Sequence, residues 1–263
     1  RTFEQFGFLP VDTPALEYAE VLLGKGGGET DKQVYRFTDH GGRDVAMRYD
    51  LTVPFARFMA AHRHELYLPF KRYHVAKVWR GENTQRGRYR EFYQCDFDTV
   101  GVDSVSADLD ILLLMERSMR ALGIERFRIH IAHRGVFTRL LENLGLARQA
   151  EDVLRTVDKQ GKVGPKRVQE LLASIVGAEA TGTIMEFAAP GESYADTLAR
   201  MRAAVGPEDP DVERLARIKT CVDEMGLADV FYLDPSITRG LDYYTGMVFE
   251  TFLLDLPEIG SVC

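Results

Sequence analysis

Along the chain the alternation of apolar and polar positions changes period several times, and each change marks an element. Phe8 to Val11, ahead of Asp12-Thr13-Pro14, reads as a short strand ending in a turn, and Pro14 to Leu23 as a helical stretch. Val34 to Thr38 and Asp44 to Arg48 flank Asp39-His40-Gly41-Gly42, a β-hairpin signature. Thr52, Pro54 and an apolar-periodic run to about Ala61 predict a helix with Thr52 as its N-cap. Arg72 to Arg80 sets Tyr73, Val75, Lys77 and Trp79 against Arg72, His74, Ala76 and Val78, a period of two, and Tyr89 to Val100 is a second strand-like run. The polar loop from Gly81 to Gly87 between them predicts an antiparallel pair.

Ser104 to Leu122 is an amphipathic helix with Leu109, Leu112, Leu113, Met115 and Met119 on its apolar stripe and Gly123 closing it. Phe127 to Ile131 reads as a short strand. From Arg134 to about Met225 the pattern is helical, broken at Gly145, Gly161, Gly164-Pro165, Pro190-Gly191 and Gly206-Pro207. Val230 to Leu233 and Met247 to Leu253 return to strand. Strands at both ends of a helical insertion predict an α+β fold, a mainly antiparallel sheet flanked by helices. The expected division is a core over 1–144, the insertion over 145–207 and the core again over 208–263.

Composition narrows the class. At 263 residues, 45% hydrophobic and 28% charged, the chain fits a globular protein with a sizeable core. No run of eighteen apolar residues exists, and no secretory signal is visible, so no membrane contact is expected. Cys95, Cys221 and Cys263 are far apart and form no CxxC pair, which supports neither a zinc site nor a disulfide framework and fits a reducing, cytoplasmic setting. The net charge of −7 argues against a dedicated nucleic-acid binder. Yet Lys71, Arg72, Lys77, Arg80, Arg86, Arg88 and Arg90 crowd one stretch against only Glu82 and Glu91, which points to a small phosphate ligand. The glycines of Gly24-Lys25-Gly26-Gly27-Gly28 lack a following Lys-Ser/Thr and so read as a surface loop, not a P-loop.

Three segments carry candidate chemistry. Asp50, where a strand hands over to a helix, suits either a helix cap or a substrate ammonium group. On the second long strand Arg90, Phe92, Gln94, Asp96 and Asp98 share one face. A core face would be apolar; a solvated face bearing a cation, a ring, an amide and two acids reads as a ligand platform, with arginine for phosphate oxygens and the ring for a stacked base. The third segment, Thr238-Arg239-Gly240-Leu241-Asp242-Tyr243-Tyr244, places a cation beside glycine and paired tyrosines at the entrance to a strand.

Together the three segments resemble histidyl-tRNA synthetase, a class II aminoacyl-tRNA synthetase, from about Phe6 to the last residue outside a variable insert. Phe6-Gly7-Phe8 through Pro14 is similar to motif 1, which contributes to a dimer interface; Phe70 to Gly101 is similar to motif 2; Arg239 to Tyr244 is similar to the peptide specific to histidyl enzymes and their near relatives. The resemblance implies that Arg80 and Arg239 hold the α-phosphate of ATP from two sides. Glu82 would bond the adenine, Phe92 would stack on it, and Arg88 would reach the outer phosphates, with Mg2+ bridging phosphate oxygens. It implies histidine recognition by Asp50 and Thr52 at the amino group, by Gln94, Asp98, Tyr243 and Tyr244, and by Arg239 from the substrate side. Asp50 and Asp98 stand where many bacterial members carry Glu. No metal ligand is implied in the protein, and His74, His130 and His133 are read as packing or solvent-exposed side chains.

After Gly260-Ser261-Val262-Cys263 the family normally continues with a glycine-rich Arg-Tyr-Asp segment, motif 3 and an anticodon-binding domain. The expectation is therefore a truncated catalytic core, weak or inactive alone, with tRNA(His) contacts and homodimer formation supplied largely by the full-length protein. The alternative reading is the catalytically silent, histidine-sensing regulatory subunit of ATP phosphoribosyltransferase. Arg80, Glu82, Arg88, Phe92 and Arg239 together favour the enzyme, because a histidine sensor needs no adenylation site. A helical structural module with no ligand leaves the polar face from Arg90 to Asp98 unexplained.

Overall fold

A computed structural model describes residues 1–23, 33–84, 87–238 and 244–262. The chain forms two compact units, Arg1–Ala121 and Leu122–Cys263.

The first unit runs α1 (Thr2–Gln5), β1 (Leu9–Pro10), β2 (Leu16–Tyr18), α2 (Ala19–Leu23), β3 (Arg36–Thr38), β4 (Asp44–Met47), α3 (Thr52–His62), β5 (Phe70–Trp79), β6 (Glu91–Val100) and α4 (Val105–Ala121). Two three-stranded sheets result, ordered β1-β5-β6 and β2-β4-β3. The expected long pair is present: β5 and β6 are antiparallel over ten residues each, with Arg72 opposite Asp98, His74 opposite Asp96, Ala76 opposite Gln94 and Val78 opposite Phe92. This register, with the twofold side-chain period, places Arg72, His74, Ala76 and Val78 on the same face as Phe92, Gln94, Asp96 and Asp98. The expected hairpin is β3–β4. Its turn is made by Asp39, whose Oδ1 accepts from the backbone N–H of Gly41 and of Arg43, and by Gly42 at φ +76°.

Three local expectations are corrected. Pro14 to Leu23 is helical only in its second half; Leu16–Tyr18 is a strand antiparallel to β4. Its polarity is inverted, since Glu17 is buried and ion-paired to Arg57 while Leu16 and Tyr18 face outward, so apolar periodicity misassigns it. Thr52 is the first helical residue of α3 rather than its cap, and the Asp50 carboxylate accepts the Val53 N–H at 3.0 Å. In α4 the buried apolar residues are Leu112, Leu114 and Met115, with Leu114 in place of the expected Leu113. Phe8, Leu51, Phe55, Val78, Leu112 and Leu114 are among the unit's buried apolar side chains.

The second unit runs β7 (Phe127–His133), α5 (Arg134–Asn143), α6 (Ala150–Val157), α7 (Gln160–Val163), α8 (Pro165–Val176), α9 (Ala178–Ala188), α10 (Tyr194–Val205), α11 (Pro210–Glu224), β8 (Phe231–Leu233) and β9 (Met247–Leu253). The helical reading of 134–225 holds; Gly145, Gly164, Gly177, Gly191 and Gly206 lie between helices, whereas Gly161, expected as a break, lies within α7. Gly164 (φ +80°) ends α7 and begins α8 with Pro165 at the first turn. Caps follow sequence rules: Ser193 accepts from the Asp196 N–H, and Asp209 from those of Asp211 and Val212, ahead of Pro210 at the start of α11. The sheet order is β8-β7-β9, parallel on one side and antiparallel on the other. Among the described residues no helix is long and apolar enough to cross a membrane.

Candidate functional site

The inward face of β5–β6 and the segment entering α3 gather most of the candidate residues of the first unit. Arg80 follows β5. Its backbone N–H donates to the Arg90 carbonyl at 2.9 Å, and its Nε donates to the Tyr49 carbonyl at 3.1 Å. Its guanidinium lies 4.4 Å from the centre of the Tyr49 ring and 5.1 Å from that of Phe92. Two aromatic rings and a backbone carbonyl thus fix the cation's direction without neutralising it. Gly81 follows because space demands it: its N–H donates to the Gln33 carbonyl at 2.7 Å, and an added Cβ would meet that oxygen at 3.2 Å.

Glu82 and Arg88 are paired with each other at 3.1 Å, and Arg90 donates to the Glu82 carbonyl at 3.3 Å. The loop's two candidate ATP contacts therefore restrain one another across its ends. Just after β4, Arg48 is buried and donates to the Lys77 and Thr13 carbonyls at 2.9 and 2.6 Å, joining β4 to the C-terminal half of β5.

Further along the same face, Asp96 and Asp98 meet Asp50, Thr52, Gln94 and Arg72. The face is half-buried rather than the solvated platform expected, because the segment leading into α3 folds over it. Arg72 is fully buried, ion-paired to Asp98 at 2.7 Å and bonded to the Leu51 carbonyl at 3.0 Å. Asp96 lies 3.5 Å from the Thr52 hydroxyl and accepts a hydrogen bond from the Gln94 side chain. Burial, reinforced by the charges of Asp98 and Asp50 and opposed by Arg72, pushes the Asp96 carboxyl up to about 6. Burial also raises Asp50 and Asp98, with Arg72 acting the other way on both and Arg80 on Asp50. Three carboxylates around one buried cation leave an excess of negative potential in a partly dehydrated setting. Such a group can hold a ligand ammonium or an N–H-rich ring.

Arg72 is the residue that sequence reasoning missed. Its period-two grouping with His74 and Val78 was visible, but a charged residue in a strand gives no sign of burial until the β5–β6 register sets it opposite Asp98. His74, also buried, lies beside Asp12 at 2.7 Å, and burial lowers its pKa. His130 is partnered by Asp234 at 2.9 Å, and His133 lies 3.6 Å from Asp211, so packing and pairing account for all three histidines.

In the second unit Tyr244 packs on Ala132, Ile237 and Val248, and lines a cleft of about 340 Å³ with Arg134, Thr138, Arg139 and Glu142. Arg239 and Tyr243 lie outside the described residues, as do Arg86 and the glycine-rich loop at 24–28.

Comparisons with known proteins cover the whole chain. The model of the histidyl-tRNA synthetase family matches residues 1–259. A histidine–tRNA ligase of Treponema denticola is 53% identical over 269 aligned positions, which take in 100% of this chain and 60% of that ligase. The crystal structure of a histidyl-tRNA synthetase from Nostoc sp. PCC 7120 superposes with a TM-score of 0.85 at 32% identity, over 100% of this chain and 61% of that one. A structure from Bacillus halodurans described as an ATP phosphoribosyltransferase regulatory subunit/histidyl-tRNA synthetase has a TM-score of 0.84 at 22% identity, over 97% of this chain and 66% of the other; it shares the fold. The chain spans about 60% of the length of the Treponema ligase it matches.

Proposed function

The chain belongs to the histidyl-tRNA synthetase family, and from that premise we propose that the protein activates histidine with ATP and transfers it to tRNA(His). The observation that carries this reading is the shared face of β5–β6, where an unneutralised arginine at one end adjoins an acid-and-amide group at the other. In this reading one carboxylate oxygen of histidine attacks the α-phosphorus, an O–P bond forms, and the bond to the pyrophosphate oxygen breaks. The attacking group is already ionised, so positioning and charge stabilisation carry the step and no general base is needed.

Arg80 faces the α-phosphate, where negative charge builds, and its aromatic clamp leaves no reorganisation to be made at that moment. Phe92 supplies the adenine stack, Glu82 an adenine contact, and Arg88 the outer phosphates; the Glu82–Arg88 pair opens when ATP enters. Asp50 and Thr52 take the histidine ammonium, and Gln94 and Asp98 its polar edge and imidazole. The resemblance assigns Arg239 to the α-phosphate from the histidine side, and Tyr243 and Tyr244 to histidine, with a tyrosine hydroxyl on the ring. Magnesium, when bound, neutralises phosphate oxygens. Among the described residues no three His, Cys, Asp or Glu side chains assemble as a metal site, and the acids of the site are turned to Arg72, Gln94 and backbone donors. In this reading the ion would enter with ATP.

Residues 1–144 and 208–263 form the catalytic core in this account, and 145–207 the helical insertion. The working form is a cytoplasmic homodimer. The outward face of β5–β6 suits a second copy, since Val75 and Tyr93 are 51% and 69% exposed there. Calorimetric titration tests the proposal. Histidine and ATP should each bind, and Asp98→Asn should weaken histidine by about tenfold or more while sparing ATP. Histidine binding with no ATP binding would instead support a histidine sensor.

A further inference from the structure

Arg72 has no part in the chemistry above, yet its surroundings are costly for a side chain that merely fills space. It is 0% exposed, and its guanidinium lies 4.2 Å from the centre of the Phe55 ring. One nitrogen, Nη2, serves both the Leu51 carbonyl at 3.0 Å and Asp98 at 2.7 Å. Its Nε and Nη1 make no hydrogen bond among the described residues. A buried cation with two unmet donors is destabilising relative to an apolar side chain of like volume, so a purely structural position would be better filled by leucine or methionine. What Arg72 does contact is the candidate ligand face: Asp98 directly, Leu51 between Asp50 and Thr52, and Asp96 and Asp50 through charge.

We infer that Arg72 is a positioning residue for amino-acid recognition, locking the Asp98 carboxylate and the Asp50–Thr52 segment to each other so that the ring-binding acid and the ammonium-binding pair keep a fixed separation. This rests on the histidine reading given above. Nη2 reaches both groups from a guanidinium held over the Phe55 ring, a placement that a lysine ammonium does not reproduce. Its charge also favours the ionised form of Asp96 and Asp98 against their burial. Among the described residues Arg72 contacts Leu51, Asp98 and Phe55, on the amino-acid side of the face, so its influence falls on the amino acid.

The test is steady-state ATP–pyrophosphate exchange by the full-length protein and its Arg72→Lys variant, with folding checked by circular dichroism. Arg72→Lys should raise the histidine KM by about tenfold or more, as expected when a buried ion pair is displaced. The ATP KM should stay unchanged and kcat should move by no more than about threefold. Arg72→Gln, which keeps planar donors without a buried charge, should show the same histidine-specific rise and carries the test if the lysine variant does not fold. Unchanged histidine KM in a folded variant, a parallel rise in both KM values, or failure of both variants to fold would each overturn the inference. If the unsubstituted protein shows no histidine-dependent exchange, the functional reading itself falls; if it does and the variants match it, only the role of Arg72 falls.

Discussion

Arg80 is held by Tyr49 in two ways at once: its Nε donates to the Tyr49 carbonyl at 3.1 Å, and its guanidinium lies 4.4 Å from the centre of the Tyr49 ring. The carbonyl contact survives any side-chain change at 49, whereas the ring contact does not. Tyr49→Ala should therefore lower the rate of histidine adenylation by about tenfold through a loosened Arg80. Tyr49→Phe, which keeps the ring and loses the hydroxyl bond to Gln33 at 3.1 Å, should stay within about threefold of the unsubstituted rate. Single-turnover adenylate formation checks both.

Asp96 gives a stability prediction with a definite sign. Its folded pKa, about 6, lies above the usual carboxylate value of 3.8. Between those values the folded state binds more protons than the unfolded one, so stability falls as pH rises from about 4 to 6. Asp96→Asn, nearly isosteric and never charged, should be more stable than the unsubstituted chain at pH 7 by on the order of 1–2 kcal/mol. The difference should vanish near pH 4. Urea unfolding at pH 7 and pH 4 measures it.

Asp234 behaves in the opposite sense. Burial would raise its carboxyl, but hydrogen bonds from His130 and Ser236 outweigh burial and hold it below the usual range. Its contribution is present above pH 4 and is lost as pH falls through the depressed value. Asp234→Asn should lower the urea midpoint at pH 7, and the gap should narrow toward pH 3.

Glu17 is 5% exposed and answered by Arg57. Arg57→Ala strands that carboxylate and should destabilise the chain by about 1–3 kcal/mol. Arg57→Ala/Glu17→Gln should recover part of the loss, because an amide needs no counter-charge. Denaturant midpoints of the two variants decide the point.

How far the sequence revealed this arrangement depends on where the driving force is local. Helix α4 and strand β9 follow their apolar periods almost to the residue, and the β5–β6 pair follows from alternation around a polar loop. Strand β2 was hidden because Glu17 takes the buried position that an apolar residue would mark. The half-buried state of Phe92, Gln94, Asp96 and Asp98 was hidden for a related reason: alternation gives which residues share a face, not what folds over it. Arg72 needed the cross-strand register and the approach of Leu51, both long-range. The dual reading of Asp50 as cap or ligand contact is not exclusive, since one oxygen accepts the Val53 N–H and leaves acceptor capacity over.

The most direct test of the whole account is histidine-dependent ATP–pyrophosphate exchange by the protein and its Arg80→Ala variant. Exchange by the full-length protein should require histidine and fall by about a hundredfold or more in Arg80→Ala, the loss expected when a transition-state charge contact is removed. Exchange that proceeds equally well without Arg80, or with another amino acid in place of histidine, would contradict it.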